Sequence, residues 1–219
     1  MATRPAARGR LLCACLVSVL LLGISLAAQR LVISFDEDAL GARPDGFFFA
    51  ASRQPTPGTW EVLGAGNKRH LSHTADPTVT LRGISVAGFS YDAPDDVRVA
   101  TRLRLSDGDR AGGLIWRYRD VNNFYFMVVF YGTKTAGLFR VTGGNRVALH
   151  SVNDINLDPN AWHSIAVVHE GDDIRGTIDG IGILRARDRA ITESGRAGVW
   201  SAGNTTGWFD DVIIERAPD

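Results

Sequence analysis

The sequence has 219 residues with 24 basic and 24 acidic side chains, so its formal net charge at pH 7 is zero. This balance argues against a nucleic-acid partner, which requires a concentrated basic surface. The two cysteines are Cys13 and Cys15, so the chain beyond them can form no disulfide, offer no thiolate to a metal and use no cysteine as a nucleophile.

The first 27 residues have the pattern of a secretory signal peptide. A basic segment precedes an apolar run, and small residues of the kind found at a cleavage site follow it. These parts are Arg4, Arg8 and Arg10, the run over 11–24, and Ser25-Leu26-Ala27. We therefore predict a signal peptide over residues 1–27 and one mature domain over residues 28–219, secreted or periplasmic. An uncleaved anchor is the alternative, because the apolar run approaches the length of a membrane span.

Loss of the signal peptide would remove three arginines, leaving 21 basic residues against 24 acidic ones, and would remove both cysteines. No second apolar run is long enough to span a membrane. The mature chain must therefore be stabilised by its core, and its length suits one domain. We expect it to be a monomer.

Beyond residue 28 the pattern is that of a β protein. Short segments alternate between apolar and polar residues, are separated by Gly, Asp, Asn and Pro, and lack helical periodicity. The predicted strands are 31–35, 47–51, 59–63, 78–81, 96–106, 113–119, 124–131, 137–142, 147–152, 162–169, 174–178, 183–187, 197–201 and 208–215. The stretch around His70 and His73 is predicted to be a polar loop.

Asp179-Gly180 indicates a hairpin, because Gly tolerates the positive φ of a type I′ turn. Many short strands at this spacing predict a sandwich or a barrel.

The clearest strand, 96–106, has an apolar face and a basic face, which only a strand separates in this way. Its basic face carries Arg98, Arg102 and Arg104. This row is either a solvated surface or a set of contacts to hydroxyl or carboxylate groups of a glycan.

The segment 124–131 is apolar on both faces, which a half-solvated antiparallel strand should not be. One face must fill the core, and the other is either covered by a loop or lines a groove. Aromatic residues dominate β cores, which favours the core for any single ring here. In the groove interpretation, Tyr125 and Tyr131 line the groove with Arg117 beside them. These three residues and Arg102 are the predicted carbohydrate-binding residues.

Six motifs follow one another along the mature chain. They are FDED at 35–38, AGGLIWRYRDVNNFY at 111–125, AWHSIAV at 161–167, TIDG at 177–180, GRAGVW at 195–200 and WFDDV at 208–212. In this order and spacing they resemble the concanavalin A-like, laminin G-like jelly rolls of bacterial secreted proteins, a group that includes the 3-keto-disaccharide hydrolase domain. The resemblance implies an all-β jelly-roll sandwich of two antiparallel sheets. It is less specific for activity, since this fold carries binders and enzymes alike.

No catalytic constellation is readable from residue spacing. The related family 16 glycoside hydrolases carry Glu-x-Asp-x-x-Glu on one strand, and this motif is missing from the sequence. A 3-keto sugar would instead be cleaved by elimination, which needs a base and a group that stabilises an enolate. A histidine such as His163 or a carboxylate would be the base, and Arg117 or a metal the stabilising group. The sequence leaves catalysis open.

Carboxylates at both ends of the mature chain suggest a structural calcium site. Asp36 and Asp38 end the first strand and Asp210 and Asp211 begin the last, and terminal strands often lie side by side in jelly rolls of this type. Carboxylate and carbonyl oxygens suit calcium, so Asp36 and Asp211 are the predicted metal ligands. The alternative is that these acids are solvated turn residues.

We expect an exported, non-catalytic carbohydrate-recognition domain that binds glycans on one sheet face. A 3-keto-glycoside hydrolase is the first alternative. The second is a protein-interaction module, a role that laminin G-like domains often have.

Overall fold

A computed structural model describes residues 30–66, 68–79 and 83–218, and over these residues the chain forms two antiparallel sheets packed face to face. The strands are β1 (Leu31–Ile33), β2 (Phe47–Ser52), β3 (Thr59–Ala65), β4 (Lys68–Thr74), β5 (Ile84–Ala93), β6 (Val97–Ser106), β7 (Ala111–Asp120), β8 (Asn123–Phe130), β9 (Thr135–Thr142), β10 (Asn145–Val152), β11 (His163–Glu170), β12 (Asp173–Ile178), β13 (Ile181–Arg187), β14 (Gly195–Ala202) and β15 (Thr206–Arg216). The predicted all-β sandwich is confirmed. The predicted signal peptide lies outside the described residues, among which no helix could cross a membrane.

Sheet A has the strand order β13-β12-β11-β6-β15-β4-β3, with β1 paired to β15, and sheet B has the order β10-β9-β8-β7-β14-β5-β2. Hairpins supply many of the neighbours, but β6 lies between β11 and β15, and β14 lies between β5 and β7. Such crossovers between the sheets give the connectivity of a jelly roll.

Side-chain alternation places the main core between the sheets. In β6, Val99, Leu103 and Leu105 are fully buried, whereas Arg98 and Arg102 point away from the core. The period of two read from this segment is therefore confirmed, and it orients the whole of sheet A. The predicted turn at Asp179-Gly180 is confirmed as well, with φ angles of 48° and 78°.

Two strands of the structure depart from the sequence prediction. Strand β4 occupies the stretch predicted as a polar loop. Leu71 is the only apolar residue of this strand, and the residue that points into the core beside it is a histidine, His73, so the sequence shows no apolar alternation. Strand β5 was not predicted from the sequence. It lies between β2 and β14 and is buried on both faces at its start, so its sequence does not alternate between apolar and polar residues. The predicted strand at 78–81 lies partly outside the described residues, and Val79 is held in a turn by its N–H bond to the Asp76 carbonyl.

Candidate functional site

The outer face of sheet B is a second apolar layer. Phe124, Phe126 and Val128 of β8 lie on it, and each is at most 2% exposed. Aromatic rings from four neighbouring strands pack beside them, namely Phe48, Tyr118, Phe139 and Trp200. Arginine side chains lie over three of these rings, Arg146 over Phe126 and Arg196 over Tyr118 and Phe48, with the Arg196 Cζ 4.1 Å from the centre of the Phe48 ring. The aromatic residues of this face therefore pack on one another.

Turns of the same chain close over this layer. The β7–β8 turn contributes Val121, whose carbonyl accepts a hydrogen bond from Ser52 Oγ at 3.0 Å. The β9–β10 turn is held beside it, since Gly144 N–H donates to the Asn122 carbonyl at 3.0 Å. The Arg53 guanidinium also donates to the Gly144 carbonyl, at 3.2 Å. Of the two interpretations of the 124–131 segment, coverage by loops is therefore the one that the structure shows.

Three of the four predicted carbohydrate-binding residues lie inside the protein. Tyr125 and Tyr131 share their face of β8 with Met127 and Val129, and this face points between the sheets. Tyr125 is fully buried, Tyr131 is 8% exposed and Arg117 is 3% exposed. The prediction that they line an open groove is wrong, because β8 buries both of its faces.

Arg117 closes one end of the main core. It lies in a bulge of β7 with a φ of 45°, where the pairing with β8 shifts register. Its guanidinium donates to the carbonyls of Asp95 at 2.9 Å and Ile191 at 2.8 Å. Burial lowers the pKa of the Arg117 guanidinium, but each of its three nitrogens donates to a backbone carbonyl, of Asp95, Ile191 or Gly171. The side chain therefore ties loops together and offers no free group to a ligand.

Buried polar groups next to Arg117 complete this internal network. The Trp116 indole donates to His169 Nδ1 at 2.9 Å, and Arg117 Nη1 lies 3.2 Å from His169 Nε2. Burial, followed by the Arg117 charge, lowers the pKa of His169 to about 4. Tyr125 donates to Asp188 at 2.5 Å, and burial together with this bond raises the pKa of its phenol to about 12. All of these groups are held in fixed roles within the fold.

The outer face of sheet A carries aromatic and charged groups that are partly accessible. The Arg104 Cζ lies 4.4 Å from the centre of the Trp208 ring and 5.8 Å from that of Trp162, and the Arg102 Cζ lies 5.3 Å from Trp162. His70 meets the Trp162 ring edge-on, with ring centres 5.8 Å apart. We call Arg102, Arg104, Trp162, Trp208 and His70 the Trp162 cluster. Pairing of β4, β15 and β6 places these residues side by side.

A depression of about 480 Å³ lies against the Trp162 cluster. It is lined by Asp36, Lys68, Arg69, His70, Arg102, Trp162, Asp210 and Asp211. A second depression of about 430 Å³ shares Arg102 and Asp211 with it. The two depressions adjoin at Arg102 and Asp211, on the face where Arg102 was predicted to contact a ligand.

Arg102 is the ion-pairing centre of this depression. Its Nη1 lies 3.2 Å from Asp211 Oδ2 and 3.8 Å from Asp210 Oδ2. Asp211 has a φ of 50° at a bulge in β15, which lets these two consecutive acids approach the same guanidinium. Burial raises the pKa of Asp210, and the charges of Asp211 and Asp36 add to the shift. The depression therefore combines donors, acceptors and a carboxyl group whose pKa is raised.

The predicted calcium ligands meet in this depression but already have protein partners. Asp36 Oδ1 accepts the Arg69 N–H at 2.9 Å, and Asp211 faces Arg102. Over the described ranges, no group of three or more His, Cys, Asp or Glu side chains is arranged to hold a metal ion. Calcium would therefore depend on carbonyl and water ligands in addition to these two carboxylates, and the site stays a prediction.

His163, the predicted base, points to the opposite side of β11 from the Trp162 cluster. Its Nδ1 lies 2.7 Å from Asp179 Oδ2 in the β12–β13 turn, and its Nε2 lies 2.9 Å from the Asp158 carbonyl. It is 8% exposed. Both nitrogens thus hold the ends of loops, and neither faces the depression.

Trp162 and Trp208 are the functional candidates that sequence reasoning did not select. The sequence favours Trp162 as a plug for one end of the core, because it follows a turn and begins a strand. The structure places it on the outer face, next to Ser164, whose strand pairs there with Arg102. Strand alternation could have indicated this position, because residue 162 lies on the same side as the exposed Ser164 and opposite to the buried His163 and Ile165.

The fold resembles those of known proteins, whereas the sequence alone gives no match. No protein-family model matches it, and no curated protein matches it significantly. A carbohydrate-binding module, CBM66, from Bacillus subtilis superposes with a TM-score of 0.62 at 20% identity, covering 78% of this chain and 95% of that one. Domain 4 of AbnA, an extracellular arabinanase from Geobacillus stearothermophilus in complex with arabinotriose, gives 0.60 at 12% identity, with 87% and 93% covered. A lichenase derived from a mouse hindgut metagenome gives 0.57 at 12% identity, with 86% and 99% covered. These likenesses establish the concanavalin A-like jelly-roll fold.

Proposed function

We propose that this protein is an exported glycan-binding domain whose binding face is the outer face of sheet A around Trp162. The observation that carries the proposal is the half-buried Trp162 ring beside Arg102 and His70, at the wall of the 480 Å³ depression. A sugar presents an apolar C–H face that packs on an aromatic ring and hydroxyl groups that need fixed polar partners. The depression supplies both within one surface.

The outer face of sheet B is already covered by the protein itself, which supports the choice of sheet A as the binding face. The central aromatic residues of the sheet B face are buried by one another and by Val121 of the β7–β8 turn, so they present no open ring face to a glycan. Two proteins of similar fold bear on the ligand class: one is a carbohydrate-binding module, and the other was solved with arabinotriose. This second argument is an analogy of fold, and the first is specific to this chain.

A binding assay with a matched aromatic variant tests the proposal. A glycan array would identify ligands of the purified protein, and calorimetry would then compare wild type with Trp162→Ala and Tyr91→Ala. Tyr91 is a 68% exposed aromatic residue on β5, away from the cluster. We expect Trp162→Ala to lower affinity about 10-fold or more through lost ring contact, with Tyr91→Ala unchanged. Loss of affinity in Tyr91→Ala alone would place the site elsewhere.

Hydrolysis in the same depression is the second candidate function. It is favoured by one observation, the raised pKa of Asp210 beside the carboxylates of Asp211 and Asp36. Glycoside hydrolysis usually uses two carboxyl groups, and the pKa of the one that acts as the acid is raised. Incubation with 3-keto and unmodified disaccharides, followed by mass spectrometry, tests it. Turnover that disappears in Asp210→Asn supports an enzyme, and binding without turnover contradicts one.

A further inference from the structure

Arg104 differs from the other two arginines on the outer face of β6. Arg98 pairs with Glu215 at 2.6 Å, and Arg102 pairs with Asp211 at 3.2 Å. Within the described ranges, no side chain or carbonyl accepts a hydrogen bond from Arg104, and no carboxylate lies at ion-pair distance from it. Its Nε is buried without an acceptor. The charge of Arg104 is thus left without a counter-charge on this face.

The position of Arg104 is nevertheless fixed. Its guanidinium lies over the Trp208 ring at 4.4 Å and beside the Trp162 ring at 5.8 Å, contacts that attract a cation to the ring face. Its charge also acts on the neighbouring imidazole, since burial and then Arg104 lower the pKa of His70. Holding a guanidinium between two rings removes the rotamer entropy that a ligand would otherwise have to overcome.

We infer that the glycan recognised at the Trp162 cluster is acidic, with a sugar carboxylate bound by Arg104. A planar guanidinium binds a carboxylate through two parallel hydrogen bonds, and such charge-assisted bonds are about twice as strong as neutral ones. A neutral sugar would leave the charge of Arg104 without a partner. Uronic-acid oligosaccharides combine a carboxylate with the apolar ring face that Trp162 or Trp208 would contact. This inference rests on the proposed glycan-binding function and narrows its ligand class.

Matched acidic and neutral ligands test the inference. Oligosaccharides of galacturonate, glucuronate and mannuronate would be titrated into the intact protein by calorimetry, each beside its carboxyl-reduced, neutral counterpart. We expect at least one acidic member to bind about 10-fold or more tightly than its reduced form. Raised ionic strength should narrow that difference, because salt screens the ion pair.

Variants of arginines on the same sheet separate the role of Arg104 from a general charge effect. We expect Arg104→Gln to reduce affinity for the acidic ligand to that for its neutral counterpart. Arg104→Lys should retain part of the difference, because it keeps the charge and loses the two parallel bonds. Arg175→Gln is the control, since Arg175 on β12 is already paired with Glu170 at 2.9 Å, and its affinities should match wild type.

Two outcomes overturn the inference, and they can be told apart. Equal affinity for acidic and reduced ligands, unchanged in Arg104→Gln, contradicts the acidic ligand class and leaves glycan binding intact. Failure of every glycan to bind folded protein contradicts the proposed function as well. Circular dichroism and thermal melting of Arg104→Gln would show that any lost affinity is not lost folding.

Discussion

His73 and His169 are fully buried histidines whose protonation opposes folding. His73 Nδ1 donates to the Thr205 carbonyl at 2.8 Å, while its Nε2 is buried without a partner, so a second proton there would have no acceptor. Burial lowers the pKa of His73 to about 4, and the pKa of His169 is lowered to about 4 as well. In the unfolded chain both would have the usual value of 6.5.

The sign of the resulting pH dependence follows from proton uptake. Between pH 6.5 and pH 4 the unfolded chain binds more protons than the folded one, so the free energy of unfolding decreases as pH falls through this range. Each histidine contributes on the order of 3 kcal/mol. We expect His73→Asn, whose amide can keep the bond to Thr205, to remove about half of the dependence. Urea unfolding of wild type and His73→Asn at pH 7 and pH 4.5 measures the free energy of unfolding of each. An equal decrease from pH 7 to pH 4.5 in both proteins would contradict the prediction.

The buried position of Arg117 indicates that it stabilises the fold and does not bind a ligand. We expect Arg117→Met to lower the free energy of unfolding by about 3 kcal/mol, because the Asp95 and Ile191 carbonyls lose their buried donor. Arg187→Met, at an exposed arginine on β13, is the control and should change it by less than about 0.5 kcal/mol. The affinity of folded Arg117→Met for a glycan should equal that of wild type. A selective loss of binding would return Arg117 to the site.

At the scale of the strand, what the sequence predicts depends on what covers each face. Strand β6 can be predicted from the sequence, because arginines alternate with valines and leucines and only one face is buried. Strand β8 is not, because Phe124 and Tyr125 are both fully buried on opposite faces. The outer face of β8 is covered by rings of other strands and by Val121 of the β7–β8 turn, and no residue within β8 indicates this cover. The groove prediction failed for this reason.

Glycines make the close approach of β5 and β14 possible. A Cβ added at Gly198 would meet the carbonyl oxygen of Ala87 and would lie 2.6 Å from the Cα of Gly88. Both contacts are backbone atoms of the neighbouring strand, so the strands would have to separate. We expect Gly198→Ala to lower the free energy of unfolding by about 2 kcal/mol or more. Gly182→Ala on β13, where a Cβ meets no atom within 4 Å, should be nearly neutral in the same urea titration.

For the whole molecule, the sequence predicts the fold better than the site. Strand spacing and turn residues depend on local chemistry, and most predicted strands are present. The Trp162 cluster draws residues from β4, β6 and β15 and from the segment before β11, which are separated in sequence by up to 138 positions, from His70 to Trp208. Their proximity depends on the order of strands in sheet A, with β6 between β11 and β15. The sequence indicates Arg102 and Arg104, because the basic face of their strand is visible locally, and it gives only Arg102 as a predicted carbohydrate-binding residue.

The calcium prediction concerns both ends of the described chain. If Asp36 and Asp211 bind calcium, its addition to chelated protein should raise the melting temperature by mass action. The increase should disappear in Asp211→Asn, which removes one carboxylate oxygen from the depression. An unchanged melting temperature in wild type would contradict the site and would leave these acids as partners of Arg69 and Arg102.

The central claim is that the outer face of sheet A, and not that of sheet B, binds glycans. The five tryptophans give five indole N–H signals that report on both faces and on the core. The indoles of Trp60, Trp116 and Trp200 donate to internal partners, whereas Trp162 and Trp208 belong to the Trp162 cluster.

Titration of ¹⁵N-labelled protein with a bound oligosaccharide, followed by these signals, is the most direct test. We predict progressive shifts of the Trp162 and Trp208 signals, with those of Trp60, Trp116 and Trp200 unchanged. A shift of the Trp200 signal without one at Trp162 would show that the ligand enters beneath the turns of sheet B, and would contradict the claim.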